Sequence, residues 1–166
     1  VSCLAMICRH YGKNYSLEYL DGFCHANIAG ISMLGITDGA KSVGLNVMTV
    51  AASTDELNKI ALPCILHWNQ NHFVVLYGIS KNGKRYRIAD PGKGLVTYTR
   101  KEFESHWISS MTDGEPSGTA MQLTPGKNFD GKNCDNTIQK RSFRFLLGYL
   151  MQYRKYFTLI ILGLAL

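Results

Sequence analysis

The absences in this 166-residue sequence exclude several classes of protein. Its five cysteines (Cys3, Cys8, Cys24, Cys64 and Cys134) contain no CxxC pair and no Cys/His metal spacing. An odd set is also no disulfide framework, so they read as reduced thiols of a cytosolic domain. No GxSxG elbow is present, which excludes a serine hydrolase of the α/β type. No internal repeat is visible, and the start lacks the pattern of a secretory signal. Charge is sparse at 18%, and acidic residues are outnumbered by basic ones, 12 to 18.

What is present describes a globular chain, with 46% hydrophobic residues. The net charge of +6 is unevenly placed. Residues 1–124 hold 11 Lys+Arg against 10 Asp+Glu, whereas residues 125–166 hold 7 against 2. The basic excess flanks and enters a C-terminal apolar stretch, which suits a membrane surface better than a nucleic-acid groove. The run 156–166 has no charge, but its 11 residues fall short of the about 20 that cross a bilayer. It reads as the first part of a membrane helix. At the other end, Val1 opens directly into a helical pattern without Met, and the chain is expected to be a fragment truncated at both ends.

Periodicity and capping residues predict helices first and an antiparallel sheet after them, an α+β layout. Val1, Leu4, Ala5, Cys8 and Tyr11 share one helical face, ended by Gly12. Ser16 caps a second helix through His25, with Leu17, Leu20 and Phe23 as its apolar contacts, and Ser32 opens a third, 33–43, stopped by Gly44. Strands are predicted at 45–50, 63–68, 73–79, 85–89, 94–98 and 119–123, with short helices at 54–60 and 100–107. Residues 109–117 read as a polar loop. The polar, glycine-bearing segment 125–140 reads as a linker, and 141–166 as the start of a transmembrane domain.

The chemistry concentrates in one hairpin. His72 stands where the strand 73–79 emerges from a loop, and Asn82-Gly83 is a turn signal before the returning strand 85–89. Pairing the strands brings their open ends together and sets Asp90 beside His72. A carboxylate against an imidazole fixes its tautomer and stabilises the imidazolium, as a general base requires. For the nucleophile, Cys3 is the candidate. It lies in the first turn of the first helix, where the macrodipole favours a thiolate, although a small buried hydrophobe is the competing role. Chain order, Cys then His then the orienting residue, is that of papain-like enzymes. A metal pair of His67 and His72 is disfavoured, because an offset of five sends them to opposite faces of a strand with no third ligand. Cys24 and His25 are adjacent, cannot stack on one helical face, and are assigned a structural role.

These residues resemble a known family. Leu62-Pro63-Cys64-Ile65-Leu66-His67-Trp68, then Asn71-His72-Phe73-Val74-Val75-Leu76, then Tyr86-Arg87-Ile88-Ala89-Asp90-Pro91, with Phe103 and Trp107, are similar to the bacteriocin-processing cysteine peptidase domain. That papain-like domain is fused to the N-terminus of certain bacterial ABC exporters. The stretches 2–12 and 33–40 resemble its first and third helices, so the likeness covers about residues 1–124.

The resemblance implies that His72 is the general base and Asp90 its orienter. It further implies cleavage of a leader peptide after a Gly-Gly pair, coupled to ATP-driven export by a homodimer in the bacterial cytoplasmic membrane, with the peptidase domain on the cytoplasmic side. No cofactor is implied for the peptidase domain, while ATP and Mg belong to the missing part of the exporter. The family's first helix begins Asp-Cys-Gly, two residues, and often a second Cys. Aligning Val1-Ser2-Cys3-Leu4 on that pattern makes Cys3 the second cysteine and puts the nucleophile just before Val1, with the oxyanion-stabilising Gln further upstream. The fragment is then expected to be inactive by itself. Two alternatives stay open: a leader-binding domain without a nucleophile that recruits cargo, and a soluble papain-like amidase.

Overall fold

A computed structural model describes residues 1–25, 30–112 and 114–129. The chain opens with helix α1 (Ser2–His10), which ends in a turn where Gly12 takes φ +83°. Helix α2 (Leu17–Cys24) starts at Ser16, whose hydroxyl accepts from the Tyr19 N–H at 3.1 Å. Helix α3 (Met33–Ser42) repeats the device with Ser32 and the Gly35 N–H at 3.0 Å. Such caps satisfy N–H groups that the first helical turn leaves unpaired. Strand β1 (Leu45–Ala52) leads to the one-turn helix α4 (Thr54–Leu57), which a Ser53–Glu56 capping box starts. Strands β2 (Cys64–Trp68), β3 (His72–Ile79), β4 (Arg85–Asp90) and β5 (Gly94–Thr99) then form a meander. Helix α5 (Arg100–Trp107) precedes β6 (Ser110–Thr112) and the long β7 (Glu115–Pro125).

All the strand pairs are antiparallel, in the order β1-β7-β2-β3-β4-β5, with β6 added to β7. The fold is the α+β arrangement that the sequence predicts. Because successive residues of a strand face opposite ways, the sheet has two apolar sides. Ile65, Val75, Met121 and Leu123 pack under Leu4, Ile7, Leu20 and Ile36 of the first three helices. Leu66, Trp68, Val74, Leu76 and Ile88 face the other way, onto Leu57, Phe103 and Trp107. Trp107 is anchored through its indole N–H, which donates to the Thr119 carbonyl at 3.0 Å.

Four sequence expectations change. The expected loop at 109–117 is largely a hairpin, β6 with the start of β7, and Gly114, just before β7, takes φ +83°. The helix expected over 54–60 stops at Leu57. Leu17 is not an apolar contact of α2: as the first helical residue it is 50% exposed, and Leu20 carries the burial. The start of the expected linker is packed, not loose. The Gly126 N–H donates to the Gly44 carbonyl at 3.0 Å, and Phe129 is buried with its ring edge-on to Tyr11 at 6.1 Å. A single large apolar residue in a polar stretch was enough to bring the chain back onto the core. Gly44 permits that approach, since a Cβ there would lie 2.9 Å from the backbone of residues 128 and 129. The rest of the linker and the membrane-helix start at 141–166 lie outside the described residues. Among the described residues, no helix is long and apolar enough to cross a membrane.

Candidate active site

Strand register sets the central pair. Trp68 pairs with His72 across β2 and β3, and Val75 pairs with Ala89 across β3 and β4, so Asp90 lies opposite Val74. His72 is two residues from Val74 and therefore on the same side of the sheet as Asp90. Their side chains meet diagonally at the sheet's end: His72 Nε2 and Asp90 Oδ1 are 2.9 Å apart. A carboxylate can only accept, so Nε2 carries the proton and Nδ1 is the ring's other, potentially basic nitrogen. The same Asp90 oxygen accepts the Gly92 N–H at 2.8 Å, an Asx turn that the sequence Asp-Pro-Gly could have announced.

Burial shapes the electrostatics. Asp90 is 4% exposed, while the His72 side chain is 40% exposed. Burial by itself raises the Asp90 carboxyl. The hydrogen bonds from His72 and Gly92, with the charges of His72 and Lys93, outweigh it and hold the group below its ordinary value. The carboxylate is thus ionised and fixed, and the imidazole it holds reaches solvent.

His72 stands on a crest between two depressions. One, of about 260 Å³, is lined by the start of α1 (Val1, Ser2, Cys3) together with Ile31, Phe73 and Pro91. The other, of about 450 Å³, is lined by Trp68, Asn69, Asn71, Asp90 and Lys93. His72 therefore borders, at the sheet's end, a cleft whose other wall is the N-terminal end of a nine-residue helix. That is where a helix dipole favours an anion.

Cys3 is in the cleft wall but in the wrong environment for a nucleophile. It is 4% exposed, and its thiol donates to the Phe73 carbonyl at 3.1 Å. Burial pushes the thiol up to about 12, opposite to an activated cysteine. Its visible role is to tie α1 to β3. Cys24 closes α2 in a buried position, and His25 follows it in a left-handed conformation, φ 49°. His67 pairs with Phe73, their rings 5.2 Å apart, and points away from the side of the sheet that carries His72. Sequence reasoning missed the support behind His72, where His106 of α5 bonds Asn69 in the β2–β3 turn. No local pattern signals a contact across 37 residues.

Comparison with known proteins assigns this arrangement to a family. Residues 1–113 match the Peptidase C39 family. The colicin V secretion/processing ATP-binding protein of Escherichia coli is 34% identical over 142 residues, 86% of this chain and 19% of that protein. The lactococcin-G-processing and transport ATP-binding protein of Lactococcus lactis subsp. lactis is 30% identical over 122 residues, 70% of this chain and 17% of that protein. The chain thus spans about a fifth of the length of these curated relatives. Among solved structures, a double glycine motif protease from an AMS/PCAT transporter, in complex with the leader peptide, superposes with a TM-score of 0.64 at 32% identity, covering 74% of this chain and 81% of that one. The peptidase domain of Streptococcus ComA, a bi-functional ABC transporter, gives 0.62 at 28% identity, covering 74% and 88%.

Proposed function

We propose, from the premise that this chain belongs to the Peptidase C39 family, that it is the cysteine peptidase part of a bacterial ABC exporter. It removes the leader of a secreted peptide after a Gly-Gly pair, and cleavage is coupled to ATP-driven export. The observation that carries this reading is the His72–Asp90 pair at 2.9 Å, bordering a cleft that the N-terminal end of α1 also lines. Relatives that process and transport bacteriocins, and a solved relative that holds a leader peptide, support the substrate class.

In this mechanism a cysteine thiolate attacks the carbonyl carbon of the second leader glycine. A C–S bond forms, the peptide C–N bond breaks, and the His72 imidazolium gives its proton to the departing amine. Water, deprotonated by His72, then attacks the same carbon, the C–S bond breaks, and the leader carboxylate and the thiolate are released. Asp90 keeps Nε2 protonated and steadies the charged ring. Glycine at both positions suits a cleft this close to the backbone of α1, since a residue without Cβ can pass where others cannot. The attacking thiol is assigned to a cysteine four residues, one helical turn, ahead of Cys3 and two positions before Val1, by the resemblance of 2–12 to the family's first helix. Residues 1–166 alone are then expected to bind leader without cutting it.

The remaining assignments follow the same reading. The described residues through Phe129 belong to the peptidase domain, onto which Gly126 and Phe129 pack, and the membrane part of the exporter is assigned to the chain after them. The exporter is a homodimer in the cytoplasmic membrane with this domain on the cytoplasmic side, and ATP and Mg are held by its distant nucleotide-binding domains. No described residue is assigned to nucleotide. In the full-length exporter, His72→Ala should abolish cleavage of a Gly-Gly leader peptide while leaving its binding intact. Cleavage that survives the substitution would remove His72 from this role.

A further inference from the structure

The turn that delivers His72 to the cleft is clamped from behind. Between the paired residues Trp68 and His72 lie three residues, and Asn69 and Gln70 take φ of 49° and 61°. Asparagine tolerates the left-handed region and glutamine gains nothing there, so consecutive residues of this kind persist only where something holds them. Here the C-terminal end of α5 does so. The Asn69 N–H donates to the His106 carbonyl at 2.9 Å, and His106 Nδ1 and Asn69 Oδ1 meet at 2.8 Å. Since the amide oxygen accepts, the imidazole N–H donates, which it does whether His106 is neutral or charged. The His106 ring also stacks on the Trp68 indole, with centroids 5.2 Å apart and planes 24° apart, and meets Tyr98 edge-on at 5.5 Å. Trp68 is 1% exposed, and its neighbour in α5, Trp107, is fully buried. The His106 ring therefore rests on buried side chains, while its bond to Asn69 lies at the surface.

We infer that His106 and Asn69 are positioning residues for the peptidase reaction: they fix the β2–β3 turn so that the His72 ring holds its line between Asp90 and the cleft. This rests on the role proposed for His72. His72 itself is half-buried at the first position of β3, and its aim depends on Asp90 on one side and on this turn on the other. Asn69, Trp68, His72 and Asp90 line the same depression, so a shift of the turn is felt directly at the ring.

The test uses the full-length exporter and a Gly-Gly leader peptide. His106→Ala should lower kcat about tenfold, within the range that small misplacements cost, with KM and the melting temperature little changed. His106→Asn, whose side-chain N–H₂ sits near the place of Nδ1, should restore most of the rate. An unchanged kcat in His106→Ala would overturn the inference. So would equal loss in both variants together with a fall in melting temperature, which is the signature of a purely structural contact. His72→Ala in the same assay separates the two readings. If it still cuts, the assignment of His72 has failed. If it is dead while His106→Ala is normal, only the clamp has failed.

Discussion

Both hydrogen bonds to Asp90 fall on one oxygen, and this gives the substitution Asp90→Asn a specific outcome. His72 Nε2 and the Gly92 N–H reach Oδ1 at 2.9 and 2.8 Å. An amide oxygen in that place accepts both, so the variant keeps the direction of the imidazole and loses only the charge behind it. A hydrogen bond to a charged group exceeds a neutral one by about 1.5 kcal/mol, which corresponds to about a tenfold loss in kcat/KM. Asp90→Ala removes the acceptor as well and leaves Nε2–H without a partner. A cost of about 3 kcal/mol then gives about a hundredfold loss. The assay is cleavage of a Gly-Gly leader peptide by the full-length protein, with circular dichroism to confirm folding because residue 90 is buried. Asn as slow as Ala would show that the oxygen's placement is not what matters. Ala as fast as the parent would remove Asp90 from the site.

Two further outcomes follow from the electrostatics of buried groups. Cys3 and Cys64, each with a thiol pushed up to about 12 by burial, should resist a disulfide reagent near pH 8 in the native protein and react in guanidinium. Rapid native labelling of Cys3 would contradict its buried contact with Phe73 and return it to candidacy as the nucleophile. In acid, Asp90 sets a sign. Its folded value lies below the ordinary 3.8, so its contribution to stability is present above 3.8 and is lost as pH falls through the folded value. In urea titrations the advantage of the parent over Asp90→Asn should persist near about pH 5 and shrink toward about pH 2. A gap that stays constant over that range would contradict the stabilised carboxylate.

Much of this was legible in the chain because it is local. Serines at 16, 32 and 53 cap helices by bonding the N–H three residues on, and Asn82-Gly83 closes the hairpin that joins His72 to Asp90. Glycine and proline misled where they punctuate a strand: Gly114 and Pro116 made the β6–β7 hairpin read as loop. Phe129 was hidden by its polar neighbours, because packing depends on one side chain and composition averages over many. The bond between Asn69 and His106 had no sequence signal at all. It exists only because α5 ends against the β2–β3 turn, which is a product of the whole sheet.

The hairpin also bears on synthesis. Strands β3 and β4 bring His72 and Asp90 together across a short loop whose closure costs little entropy, but α1, the opposite wall of the cleft, reaches Phe73 across 70 positions. A ribosome releases that wall first and the dyad much later. The nascent N-terminal end therefore waits without the imidazole proposed as its base until the chain has passed Asp90 and the strands have paired. On the function proposed above, the cleft stays incomplete for as long as the sheet does.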